Sequence, residues 1–506
     1  MQTRNMKTRF LSCAVSVLMM PTLLPAVGLQ VYAEPETPEY LTFTAQEPGT
    51  SITLDLENGA LQYSTDAANW SGYTSGAEIV LNSVGDSVYL RGINNDTWLF
   101  SYRHHVEIDG KAACSGNVMT LVDYEHPAYA LMGDCCFRYM FYGCTGLTEA
   151  PELPATTLAY GCYENMFYGC TGLTTAPKLP ATTLAFECYS SMFSGCTGLT
   201  EAPELPVTTL TFGCYGGMFA GCTSLTTAPK LPATKLADSC YLCMFQGCKG
   251  LTAAPVLPAT DLADSCYHRM FADCISLTAA PALPATNLAD KCYYEMFYGC
   301  TGLTAAPALP ATTLTNSCYC GMFSVCTGLT AAPALPATTL ADSCYYRMFE
   351  SCKGICLSET QTEDYTNAYS VPSFGTGTTA NNALTHMFQN TGGTFTGTPE
   401  INKTYYMKSN KLTQPEYKQT AKKDGVFYTR FVFVTPKSEI VGKHNAKFTV
   451  TYNNTAYTFK TNKYYTGVTS NGVTYVPADE NSVLFVVTVT SGSNISADLT
   501  CKLDFE

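Results

Sequence analysis

The sequence predicts an α/β solenoid, one short helix and one short strand per 26-residue coil, flanked by two small all-β sandwich-like domains. Three observations predict it. From Cys136 to Cys352 one phrase recurs nine times with no residue gained or lost, its first cysteine at 136, 162, 188, 214, 240, 266, 292, 318 and 344. Inside that phrase the fixed apolar residues fall on one arc of a helical wheel. Outside it, both ends of the chain read as short alternating runs broken by glycine and asparagine. A fixed period of this length marks an array in which each unit buries its apolar face only against its neighbours. A 26-residue unit is too small to hold a core alone.

Each part of the unit has a physical reading. Take the first cysteine as position 0, as in Cys162-Tyr-Glu-Asn-Met-Phe-Tyr-Gly-Cys170; the fixed residues then stand at positions 0, 1, 4, 5 and 8. At 100° per residue they span an arc of about 140°, which suits a short core-facing helix. Asp238, Asp264, Asp290 and Asp342 stand just upstream, where an N-cap belongs. The glycine at position 7, and the usual one at position 10, end the helix. Leu173 to Leu184 follows, with two prolines that each remove a ladder donor. That leaves room for a strand of about two to four residues and an extended corner before the next unit.

Met-Phe-x-Gly-Cys-Thr-Gly-Leu-Thr-x-Ala-Pro-x-Leu-Pro-Ala-Thr-Thr-Leu resembles the BspA-like leucine-rich repeats of bacterial surface proteins, whose pattern is Phe-x-x-Cys-x-x-Leu followed by an apolar-Pro stretch. The resemblance covers residues 136–352. It departs from the commoner form in Met-Phe for Ala-Phe, a longer unit, and Ala-Pro where an Ile/Val strand core is usual. It implies a leucine-rich-repeat-like fold, surface display and binding, and it carries no catalytic residues over.

Four regions are expected. Residues 1–33 read as a signal peptide: Arg4, Lys7 and Arg9, then an apolar run from Phe10 to Leu29, then Val31-Tyr32-Ala33 with cleavage expected after Ala33. Residues 38–125 read as a β module, 126–400 as the solenoid with its C-terminal cap, and 401–506 as an immunoglobulin-like β domain. The cap is an atypical unit: from Phe349 to Phe388 is 39 residues, or 26 plus 13. A secreted or cell-surface protein with no visible wall or lipid anchor is the expectation. No apolar segment beyond the leader is long enough to span a bilayer.

Composition narrows the chemistry. The net charge of −13 divides into +5 over residues 401–506 (13 basic, 8 acidic) and −18 elsewhere (15 basic, 33 acidic). An acidic body argues against nucleic acid, whose binding rests on phosphate neutralisation. Twenty-five cysteines in an exported chain suggest disulfides. The two cysteines of a unit are eight residues apart, however, and both stand on the apolar arc, so two rows of buried thiols are preferred. Cys240-x-x-Cys243 has redox spacing, yet Cys243 and Cys320 occupy variable, outward-read slots. The six histidines share no spacing with paired carboxylates. No triad, phosphate loop or metal cluster is legible, so neither an enzyme nor a cofactor is expected.

What remains is surface. The residue after Ala-Pro runs Glu152, Lys178, Glu204, Lys230, then Val256, Ala282, Ala308 and Ala334. The first four read as an alternating-charge ladder across neighbouring coils. The last four read either as register and solubility or as a docking face rimmed by Tyr294, Tyr298 and Tyr346. Trp70, Tyr73 and Trp98 read either as core or as a sugar-stacking platform. The expectation is a monomeric, non-enzymatic binding or adhesion protein for an extracellular protein or glycan. The alternative is a carbohydrate-binding accessory protein with terminal β modules that bind sugar and a solenoid spacer between them.

Overall fold

The computed structural model describes residues 39–94, 99–127, 133–362, 364–371, 380–401, 403–408, 417–423, 425–440, 445–453, 455–470, 473–475 and 482–505. The residues expected to form a signal peptide, 1–33, and Trp98 lie outside the described residues.

The N-terminal runs form strands because they alternate, placing every second side chain inside. They are β1 (Leu41–Ala45), β2 (Thr50–Leu54), β3 (Leu61–Ser64), β4 (Ser71–Gly72), β5 (Glu78–Leu81), β6 (Ser87–Gly92), β7 (Val106–Asp109) and β8 (Ala112–Ser115). One sheet has the order β4-β3-β6-β1-β8-β9, where β9 (Leu147–Glu149) belongs to the first repeat and runs parallel to β8. The other has the order β5-β2-β7. Packing does not break near residue 126, since a single apolar core runs from Leu41 to Tyr405. Val106 N–H donates to the Met140 carbonyl at 2.8 Å, which closes the module onto the first unit.

The repeats overturn the helix-plus-strand solenoid. Among the described residues between Cys136 and Cys352 there is no helix, and β9 is the one strand; several small sheets at the ends carry the regular structure. The segment read as helical is a chain of turns. In the unit at Cys188, the N–H groups of Ser190, Met192, Ser194 and Cys196 donate to the carbonyl three residues back, at 3.0–3.3 Å. The alternate N–H groups leave the unit altogether. Glu187 donates to Phe212, Tyr189 to Cys214, Ser191 to Gly216, Phe193 to Met218 and Gly195 to Ala220, at 2.7–3.1 Å. No backbone bond in this set is the i to i−4 bond of an α-helix. Every fourth residue is left-handed, as at Glu187 (φ 54°), Ser191 (52°) and Gly195 (74°).

Positions 0, 4 and 8 (cysteine, methionine, cysteine) are buried in these units, as are 1 and 5 (tyrosine, phenylalanine). Tyrosine rings stack on their counterparts from Tyr163 to Tyr345 with centroids 5.7–6.0 Å apart. A phenylalanine column beside them runs from Phe141 to Phe388 at 5.2–5.8 Å. The position-8 thiol donates to the phenylalanine carbonyl of the unit before, as Cys196 Sγ does to Phe167 at 3.0 Å. On the proline-containing side, adjacent units touch by isolated parallel bridges such as Thr175 to Glu201 and Glu201 to Thr227. The prolines allow no more.

The far end closes with β10 (Cys356–Ser358), β11 (Asn367–Ser370), β12 (Gly392–Gly393) and β13 (Thr404–Met407), in the order β11-β13-β10-β12. Phe388 stacks on Phe349 at 5.3 Å, so the 39-residue register predicted for this last unit is the one observed.

The C-terminal strands are β14 (Tyr417–Lys423), β15 (Val426–Pro436), β16 (Ala446–Tyr452), β17 (Thr455–Thr461), β18 (Val468–Ser470), β19 (Val473–Tyr475), β20 (Ser482–Ser491) and β21 (Leu499–Phe505). They make three-stranded sheets β14-β15-β20 and β17-β16-β21 with a separate β18-β19 pair. Phe431, Phe433, Phe448 and Phe485 build a second core there. Among the described residues no helix is long and apolar enough to cross a membrane.

Candidate binding surfaces

The row after Ala-Pro faces water throughout. Glu152, Lys178, Glu204 and Lys230 are exposed, as are Ala282, Ala308 and Ala334, and Val256 is 80% exposed. The leucines that follow (Leu257, Leu283, Leu309, Leu335) are buried, so the row rides on the core. No ion pair among the described residues joins the four charges; the cross-unit pairs are Arg138–Glu164 (2.7 Å), Lys235–Asp261 (3.3 Å) and Arg269–Glu295. Tyr294, Tyr298 and Tyr346 are half-buried on the turn segment. The contacts recorded for two of them run along that segment: Tyr294 stacks on His268 at 4.6 Å, and Arg347 lies 5.0 Å over Tyr346. Neither contact reaches the alanine row.

The aromatic platform is not an open one. Tyr73 is core: its hydroxyl accepts from Leu54 N–H at 2.9 Å and donates to the Ala77 carbonyl at 2.6 Å. Trp70 has the Arg91 guanidinium 4.0 Å over its ring and Tyr40 edge-on at 4.8 Å. A sugar needs a bare face, and one face of this ring is taken.

Position 6, the residue after the phenylalanine, is mixed in exposure. Tyr168 is 37% exposed, while Ala272 and Ser324 are buried. Cys320, read as an exposed slot, is likewise buried.

Burial holds the thiols of the two repeat rows in their protonated form. Every described cysteine is free. Burial pushes Cys196, Cys248 and Cys300 up to about 12. Burial also raises Cys243, despite the charge of Arg269 beside it. A thiolate is the reactive form, so these side chains act as small hydrophobes. His268 is held down to about 4, first by burial and then by Arg269 and Lys291. Among the described residues no group of His, Cys, Asp and Glu could hold a metal ion.

Two constellations escape sequence reading. His104 sits between Asp55 (3.1 Å) and Glu57 (3.3 Å), with Ser101 donating to Glu57 at 2.9 Å and Ser75 to Asp55 at 3.0 Å. Ser101 is bonded to the carboxylate and not to the imidazole, so it is not activated as a nucleophile. Only Asp55-x-Glu57 was visible locally; folding brings His104 to it. The second is a tyrosine cluster at the junction of the module and the first unit. Tyr102, Tyr139 and Tyr142 meet edge-on at 5.1–5.8 Å, and Tyr142 stacks on Tyr168 at 4.9 Å. Tyr102 and Tyr142 border a groove of about 590 Å³ whose other walls include His105, Glu107 and Asp109.

Compared with protein-family models, curated proteins and solved structures, the chain matches none.

Proposed function

We propose that the chain is a secreted or surface-displayed, non-enzymatic binding protein, akin to the BspA-like repeat proteins it resembles, that presents its repeat stack to an extracellular protein or glycan. One observation carries the reading. The units keep the same buried cysteines, methionine and phenylalanine, with tyrosine at position 1 in all but the first, while exposed positions such as Glu152, Lys178, Val256 and Ala308 differ from unit to unit. A constant interior under a varied exterior is how a repeat array offers a long recognition surface. The test is binding of the full chain to purified extracellular-matrix proteins and a glycan array, repeated with Ala282→Glu and Ala308→Glu together. Loss of a captured ligand supports the reading; a ligand held equally well by the variant removes the alanine row from it.

A second reading, carbohydrate binding by the terminal β modules with the repeats as spacer, draws support from the Tyr102–Tyr142 groove and its Glu107 and Asp109. Aromatic rings beside carboxylates suit sugar hydroxyls and C–H faces. Tyr102→Ala in the full chain separates the two readings. It abolishes glycan-array signal if the groove is the site, and leaves the signal intact if it is not.

A further inference from the structure

Two residues before each unit's first cysteine runs a row that obeys a structural rule and then breaks it. The row is Asp134, Tyr160, Phe186, Phe212, Asp238, Asp264, Asp290, Asn316 and Asp342. The acids do not cap a helix, as their placement suggested; each reaches the backbone of the next unit. Tyr160 N–H donates to Asp134 at 3.1 Å, Asp264 N–H to Asp238 at 3.1 Å, Asp290 N–H to Asp264 at 3.0 Å and Asn316 N–H to Asp290 at 3.0 Å. Asp342 does the same for Asn381 across the longer last unit, at 2.7 Å. An aspartate here therefore satisfies a backbone donor that has no partner within its own unit.

Three consecutive units forgo that bond. Tyr160, Phe186 and Phe212 stand in the row instead, exposed at 43%, 58% and 44%. Phe186 and Phe212 meet edge-on at 6.3 Å, and the Tyr160 hydroxyl donates to Glu187 at 3.1 Å. A phenylalanine ring offers no acceptor to the next N–H and presents apolar surface to water, so these residues give up the bond between units and leave aromatic surface exposed. The strip is bracketed within its own row by Asp134 on one side and by Asp238, Asp264 and Asp290 on the other.

We propose that Tyr160, Phe186 and Phe212, closed off by these aspartates, form a docking strip for an extended segment of a partner protein. That segment carries apolar side chains at its centre and arginine or lysine at its ends. The inference rests on the binding-protein reading and names the partner's chemistry. Charge complementarity selects the occupant: the chain outside residues 401–506 carries −18 (15 basic, 33 acidic), and the acids lie at the ends of the apolar strip. A neutral glycan would leave those ends unused.

The test uses the full chain and a fluorescent synthetic peptide with a Leu/Phe centre and arginine flanks, read by anisotropy. Its comparators are the same peptide with glutamate flanks and a neutral oligosaccharide. Phe186→Asp with Phe212→Asp restores two of the three missing acceptors, so its melting temperature is expected to equal or exceed the parent's. Peptide affinity is expected to fall by at least about tenfold, as for truncated aromatic anchors. Asp238→Asn with Asp264→Asn keeps the side-chain acceptor, weakens binding and flattens its salt dependence. Equal or tighter binding by the double aspartate variant overturns the proposal, because added negative charge alone would then explain the attraction. Preference for the oligosaccharide, or no binding of the arginine peptide by the parent chain, also overturns it. If only Ala282→Glu with Ala308→Glu weakens the peptide, the strip is wrong while the binding-protein reading stands. Failure of the parent chain on the matrix-protein and glycan panels counts against that reading itself.

Discussion

At the scale of single residues the chain tolerates a conformation most sequences avoid. Glu187, Ser191, Ser239, Arg269, Lys291 and Ser317 all hold φ near +50°, with no glycine to ease them. Left-handed backbone costs an L-residue about 1–2 kcal/mol, an outlay the cross-unit hydrogen bonds must offset. Gly161 and Gly213 occupy the slot that Ser239, Ser265 and Ser317 occupy elsewhere. Gly213→Ala is expected to lower stability by about 1 kcal/mol, because alanine meets that backbone cost while only the flexible Glu187 side chain crowds its Cβ. The urea midpoint reads this out, and an unchanged or raised midpoint would contradict the left-handed assignment. Tyr163 gives a second residue-level check, since its hydroxyl is buried without a hydrogen-bond partner. Tyr163→Phe is expected to be neutral or stabilising in the same measurement.

The misread element is the nine-residue turn segment, and the reason is arithmetic. Residues at positions 0, 1, 4, 5 and 8 lie on one arc at 100° per residue, and also at the 90° of a four-residue period. Over two turns the two periods part by only about 80°, too little for an apolar pattern to choose between them. Glycine at position 7 looked like a helix stop and is instead the third member of a left-handed series. The strands at both ends were legible, because alternation such as Leu41-Thr-Phe-Thr has a single sheet meaning. The tyrosine groove was not, because Tyr102 reaches Tyr142 only through the fold. The aspartates were located correctly and their partners misassigned, since the N–H they accept from lies a whole unit onward. Asp264→Ala therefore removes a bond between units, with an expected cost of about 1 kcal/mol. Loss of amide-exchange protection at Asp290 would show it, whereas loss confined to residues just after Asp264 would restore the N-cap assignment.

On the scale of the whole molecule, stability is a property of the stack and depends on protons. The thiols of Cys196, Cys248 and Cys300 sit near 12 in the folded chain against an ordinary 9, raised by burial. A raised pKa means the folded state holds its proton more tightly. The contribution is therefore intact below pH 9 and is lost as pH climbs from 9 towards 12. With a thiol row in every unit, the loss is expected to be steep and cooperative. Urea midpoints at pH 7, 8.5, 10 and 11 check it; a midpoint that stays level to pH 11 would show the rows to be accessible. The phenylalanine column is also closed at both ends, by Phe43 against Phe141 at 6.1 Å and by Tyr369 edge-on to Phe388 at 6.0 Å.

All of this depends on the turn segments pairing with the next unit instead of coiling on themselves. The backbone φ angles of one isotopically labelled unit, measured by NMR couplings across residues 239–248, address that directly. Positive values are expected at Ser239, Cys243 and Gly247, near +54°, +54° and +72°, with negative values between them. Uniformly negative angles near about −60° would mean an α-helix, and the stacked-turn account would fall.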